Sequence, residues 1–157
     1  MIDYFALFSL NKSIIVDLQD LEQKYIELQR AHHPDTGQHN IDLNMSASIN
    51  TGYRVLKNEL ERIDYLLSEI GVDLNAYKDK IDQAFLHRVL EDMEAINEEV
   101  AQENLKLMLN SKKQEKAQIF ADIAFYFEKN MIDDMILAFI KYKYINNILS
   151  AVKHRIK

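Results

Sequence analysis

Apolar residues recur along most of this chain at intervals of three and four, the repeat of amphipathic helices rather than of strands. Tyr4, Phe5, Leu7, Phe8 and Leu10 form a first knot, enough for one or two helical turns. Leu18, Leu21, Tyr25 and Leu28 then predict a helix from about Ile15 to His32. Pro34 stops it, since proline lacks a backbone N–H and disfavours helical geometry in the residue before it. Residues Pro34 to Asn40 read as a loop. Met45, Ile49, Tyr53 and Leu56 mark a third helix, in which Gly52 costs about 1 kcal/mol relative to alanine. Leu60, Ile63, Leu66, Leu67 and Ile70 mark a fourth, with Gly71 placed to end it.

After a junction at about Gly71 to Asp79, three longer segments follow. The first runs from Ile81 to about Leu109, with an inner stripe of Phe85, Val89, Met93, Ile96 and Val100. The second, capped near Ser111, carries Ile119, Phe120, Ile123 and Phe127 and ends near Asn130. The last opens on Asp133 and Asp134 and closes on Lys153, His154, Arg155 and Lys157, charges that suit the two ends of a helix dipole. Three antiparallel helices with short connections predict a small bundle. The fold class expected is all-α.

Composition sharpens this picture mainly by exclusion. Three glycines and one proline in 157 residues are too few for a turn-rich β fold. No cysteine is present, which removes disulfides, thiolate-bound metals and thiol catalysis. A net charge of −6 argues against nucleic-acid binding. The N-terminus lacks a signal or transit pattern, and no apolar run approaches the roughly 20 residues that span a bilayer. A cytoplasmic, bacterial, monomeric protein is expected. His32, His33, Asp35 and His39 on a loop make a poor metal site, and His87 with Glu91 supplies only two ligands. No glycine-rich phosphate loop or carboxylate pair with a cleft is visible, so no catalytic residue, metal or cofactor is assigned. Phe120, Phe125, Tyr126 and Phe127 read as core aromatics.

His33-Pro34-Asp35 stands directly after a helix bearing Lys24 and Arg30. The stretch from Tyr25 to Asp35 resembles the second helix and loop of J-domains, and Ile49 to Leu56 resembles their third helix, with Gly52 where alanine is usual. The opening Asp3-Tyr4-Phe5-Ala6-Leu7-Phe8 and the run Arg62-Ile63-Asp64-Tyr65-Leu66-Leu67 are similar to the HscB-type co-chaperones of iron–sulfur cluster assembly, over nearly the whole chain. That resemblance implies an N-terminal J-domain helical hairpin (1–71), a junction (72–79) and a C-terminal three-helix scaffold-binding bundle (80–157). It implies docking on an HscA/DnaK-type ATPase chaperone through His33, Pro34, Asp35, Lys24 and Arg30. Pro34 stiffens the corner so that little freedom is lost on docking, and Asp35 can accept charge-assisted hydrogen bonds. Thr36 departs from the lysine common after the tripeptide, which thins the positive patch.

Family positions that contact an IscU-type iron–sulfur scaffold protein fall on Leu86, His87, Leu90, Glu91, Glu94, Glu98 and Tyr144. His87 stands where methionine is familiar, and Tyr144 where phenylalanine is. At about 100° per residue, His87, Glu91, Glu94 and Glu98 share one polar stripe, with Leu86 and Leu90 on a shoulder beside it. Residues alone leave two readings of those leucines open: a widened core, or an apolar grip beside carboxylates. The resemblance favours the grip. A general DnaJ-like protein delivering unfolded clients is the alternative, against which stand the missing cysteine-rich and Gly/Phe-rich regions.

Overall fold

The computed structural model describes residues 2–32, 43–99 and 101–157, and among these every regular element is a helix. They fall into two compact units, Met1–Ile70 and Gly71–Lys157.

The first unit holds α1 (Tyr4–Leu7), α2 (Leu18–His32), α3 (Leu43–Lys57) and α4 (Glu59–Ile70). Asp3 caps α1 by accepting from the Phe5 and Ala6 amides at 3.0 and 3.2 Å. Asp17 does the same for α2, taking the Gln19 and Asp20 amides. This cap explains why α2 begins at Leu18 and not at Ile15. Leu18, expected on the apolar face, is 50% exposed, and burial starts at Leu21. Phe5, Phe8, Ile14, Leu21, Ile49, Leu56, Ile63, Leu66 and Leu67 make the core. Ile70, also expected on that face, is half exposed.

Gly52 has a packing reason. A Cβ there would lie 2.7 Å from Cδ1 of Tyr4 and 3.1 Å from Cε2 of Phe8, so the missing side chain lets α1 lie against α3. Gly71 has a backbone reason, a φ of +85° directly after α4, as expected of a terminating glycine. Arg62 is 3% exposed and its Nη1 donates to the Leu56 carbonyl at 3.1 Å, satisfying an end group of α3. The Tyr65 hydroxyl accepts from the Tyr4 amide at 3.0 Å and donates to the Ile2 carbonyl at 3.4 Å. Burial, together with the nearby Glu69 carboxylate, pushes the Tyr65 phenol up to about 12. The arginine and tyrosine of the Arg62–Leu67 run thus hold the corner of α3 and the start of α1.

The second unit holds a 3-10 helix (Leu74–Lys80), α5 (Gln83–Glu98), α6 (Gln102–Glu128) and α7 (Ile132–Arg155). Residues expected as a junction therefore carry their own helix, which packs on α7 and is tied to it by the Tyr77 hydroxyl donating to Asp133 at 2.7 Å. α7 is the central element. It supplies Met135, Ile136, Phe139, Ile140, Tyr142, Ile145, Ile148, Leu149 and Val152 to the core and packs against α5, α6 and the 3-10 helix.

The helix expected from Ile81 to about Leu109 is two helices, broken between Glu98 and Gln102. Side chains distant in sequence make the break. Arg155 donates to the Asn97 and Glu99 carbonyls at 3.1 and 2.7 Å, taking up free groups at the end of α5. Glu99 accepts from the Ala101 amide and from Asn104 where α6 starts. Ser111 lies inside α6 and caps nothing. Phe125, expected in the core, is 52% exposed, while Phe120, Tyr126 and Phe127 are half-buried. Of the expected α5 stripe Phe85 and Ile96 are buried, Val89 and Met93 half-buried, and Val100 lies outside the described residues. α6 turns into α7 through Asn130 at a φ of +56°, with the Met131 amide donating to Tyr126 and the Asn130 amide to Phe127.

Candidate partner-docking surfaces

His33, Pro34 and Asp35 lie outside the described residues, as do Thr36 and His39. The helices on either side of that segment are described, and polar side chains lock them together. Tyr25 stacks on Tyr53 with centroids 4.1 Å apart, a contact of about 0.5–1.5 kcal/mol beyond simple burial. The Tyr25 hydroxyl donates to Asn50 Oδ1 at 2.8 Å, and Gln29 Nε2 reaches the same oxygen at 2.6 Å. These bonds hold α2 to α3 about one turn before α2 ends. No apolar period points to Asn50 or Gln29, and sequence reasoning missed both.

Two cations were expected on this surface. Arg30 is exposed. Lys24 is engaged, its ammonium 3.1 Å from Asp20 and 3.3 Å from the Ser9 carbonyl. An exposed i,i+4 pair contributes only tenths of a kcal/mol, so Asp20 is a weak competitor for a partner carboxylate.

The α5 candidates are arranged differently. Asp82 starts the helix by accepting from the Ala84 amide at 2.8 Å. Phe85 is buried, and it takes Tyr144 of α7 against its ring edge-on, centroids 6.0 Å apart. Arg88 and Lys141 sit over the same ring at 5.8 and 5.3 Å. With Phe85 pointing inward, Leu86 is half-buried and Leu90 is 63% exposed. His87, Glu91, Glu94 and Glu98 are all exposed. His87 Nε2 lies 3.1 Å from Glu91, so when the imidazole is protonated it offsets one charge of the acidic stripe.

Asp92 belongs elsewhere. It meets Lys112 of α6 at 2.6 Å, and Lys112 also meets Glu115 at 3.0 Å. Burial lowers the Lys112 pKa, but the bonds to Asp92 and Glu115 outweigh it and leave the ammonium above its usual range. The face that remains is an apolar side chain standing out beside three carboxylates, with Tyr144 brought to the same end of α5 through Phe85. Among the described residues no group of three or more His, Cys, Asp or Glu is placed to hold a metal ion, and no helix is long and apolar enough to cross a membrane.

An all-α protein with an N-terminal J-domain and a C-terminal helical bundle is the class that this fold defines. The structure of human co-chaperone protein HscB superposes with a TM-score of 0.88 at 26% identity, covering 98% of this chain and 82% of that one. Co-chaperone protein HscB of Proteus mirabilis is 34% identical over 113 residues, 66% of this chain and 65% of the relative. An HscB homologue of Colwellia psychrerythraea is 37% identical over 103 residues, 61% of this chain and 59% of the relative. The matched stretch thus spans less than two thirds of these curated relatives. No protein-family model matches the sequence. By sequence and fold the chain is similar to the HscB-type J-domain co-chaperones.

Proposed function

We propose that the chain is a co-chaperone of iron–sulfur cluster assembly that stimulates the ATPase of an HscA/DnaK-type chaperone and brings it an IscU-type scaffold protein. It catalyses no reaction of its own. The J-domain unit presents His33, Pro34 and Asp35 to the ATPase, with Arg30 exposed on the adjoining helix and Lys24 recruited from its pair with Asp20. A corner with one backbone angle fixed by proline loses little entropy on docking.

The scaffold binds α5. What supports this most is Leu90, an apolar side chain 63% exposed on a helix whose inward face is already filled by Phe85 and Ile96. A leucine this exposed contributes little to the core. Beside it, Glu91, Glu94 and Glu98 form a rim that attracts basic residues and orients the partner, while Leu90, Leu86 and Tyr144 exclude water at the centre.

Calorimetric titration of the purified chain with the iron–sulfur scaffold protein of the same genome tests this reading. Leu90→Ala should weaken binding about tenfold, the range for truncating one central contact. Its circular dichroism and melting should match the parent. Unchanged affinity, or a loss of fold, would turn Leu90 back into a structural residue and remove the docking face.

A further inference from the structure

Tyr144 borders a second feature that the roles above leave unused. Between the 3-10 helix Leu74–Lys80 and α7 runs a groove of about 210 Å³, lined by Leu74, Lys78, Ile140, Lys143, Tyr144 and Asn147. Leu74, Ile140 and the Tyr144 ring supply apolar walls. Lys78 and Lys143 are exposed and line the same groove. Lys143 rests its ammonium 5.7 Å from the Phe139 ring, and no carboxylate of the described residues neutralises either cation. The volume suits one mid-sized side chain, and the two ammonium groups suit an anion beside it.

Tyr144 links the groove to α5. Tyr144 meets Phe85 of α5 through its ring edge and lines the groove as well. Tyr144 thus joins a positive, partly apolar slot to the first turn of the helix whose exposed side carries Glu91, Glu94 and Glu98, with Arg88 and Lys141 also at the Phe85 ring. We propose that this slot takes an apolar side chain flanked by an aspartate or glutamate, presented by the same partner protein that docks on α5. The interface is then two-signed: the partner must carry a basic patch for α5 and, past Tyr144, an acidic one for Lys78 and Lys143. Reversing the partner's orientation would set acid against acid and base against base, so the arrangement fixes the direction of docking. The inference rests on the α5 reading and adds to it the partner's second contact.

The test uses the full chain and the iron–sulfur scaffold protein of the same genome. In the unaltered complex, zero-length carbodiimide coupling followed by peptide mapping should join Lys78 or Lys143 to an acidic residue of the scaffold. In titrations, Lys78→Glu with Lys143→Glu should weaken binding about tenfold and flatten its salt dependence, as expected for rim charges that steer association. Leu90→Ala is measured in parallel. If Leu90→Ala weakens binding while the double charge reversal does not, and no coupling is found at either lysine, the slot is unused and only the α5 reading stands. If neither change alters affinity, the α5 reading has failed and the slot falls with it. Should the reversal disturb the helical signal, the coupling map on the unaltered chain decides alone.

Discussion

The Arg62–Leu67 run and the α5 face both resemble the same protein family, yet the structure uses them in opposite ways. Arg62 and Tyr65 are spent on internal bonds, one to the Leu56 carbonyl and one to the Tyr4 amide. On α5, Leu90, Glu94 and Glu98 make no such bonds and face solvent. The fold draws on residues whose polar groups bond within the chain, and the proposed docking draws on residues left to solvent. Burying a polar group requires an internal bond, whereas an exposed carboxylate has no structural debt to settle.

Arg62→Ala should have the largest effect on stability, about 3 kcal/mol, because it strips a buried hydrogen bond and leaves a cavity. Urea unfolding checks this, and a cost under 1 kcal/mol would mean that the run is not structural. Leu90→Ala should do the reverse, costing under about 0.5 kcal/mol of stability while lowering scaffold affinity about tenfold. Gly52→Ala pits a gain of about 1 kcal/mol in helix propensity against overpacking of about 1–3 kcal/mol on Tyr4. A net loss of about 1 kcal/mol is expected in a thermal melt, and a stabilised variant would contradict the contact with α1.

Lys112→Met should cost about 1 kcal/mol by freeing Asp92 and Glu115, and the loss should shrink at high salt. The smallest effect is on the alkaline side. The Tyr65 phenol ionises near its ordinary 10 in the unfolded chain and at about 12 in the folded one. Between those values the folded state holds the extra proton, so stability is full below about pH 10 and falls as pH rises toward 12. Tyr65→Phe should flatten that limb in pH-dependent melts. An unchanged limb would mean that other groups cause it.

Much of the fold is legible in the sequence because it rests on period and punctuation. The apolar repeats of three and four locate α3 and α4, the charged ends mark α7, and Gly71 ends α4 at a positive φ. What escapes is decided by side chains far apart in the chain. The break after α5 depends on Arg155, 56 residues from the Glu99 carbonyl that it binds, and no local signal announces it. The turn after α6, by contrast, falls where the sequence sets it, near Asn130, which takes a conformation more often given to glycine. Leu90 shows the same limit within the candidate site. Its angle on the helix wheel sets it on a shoulder, and only the packing of Phe85 and Ile96 decides that the shoulder is bare. Lys24 carries contacts that the sequence does not announce, to Asp20 and the Ser9 carbonyl.

The central claim, that this chain drives another protein's ATPase, is tested most directly by steady-state ATP hydrolysis with the HscA-type chaperone of the same genome. Adding the chain should raise the rate, adding the scaffold with it should raise the rate further, and His33→Gln should abolish the first increase while the protein stays folded. A chaperone rate indifferent to the chain, or one raised equally by His33→Gln, would contradict the account.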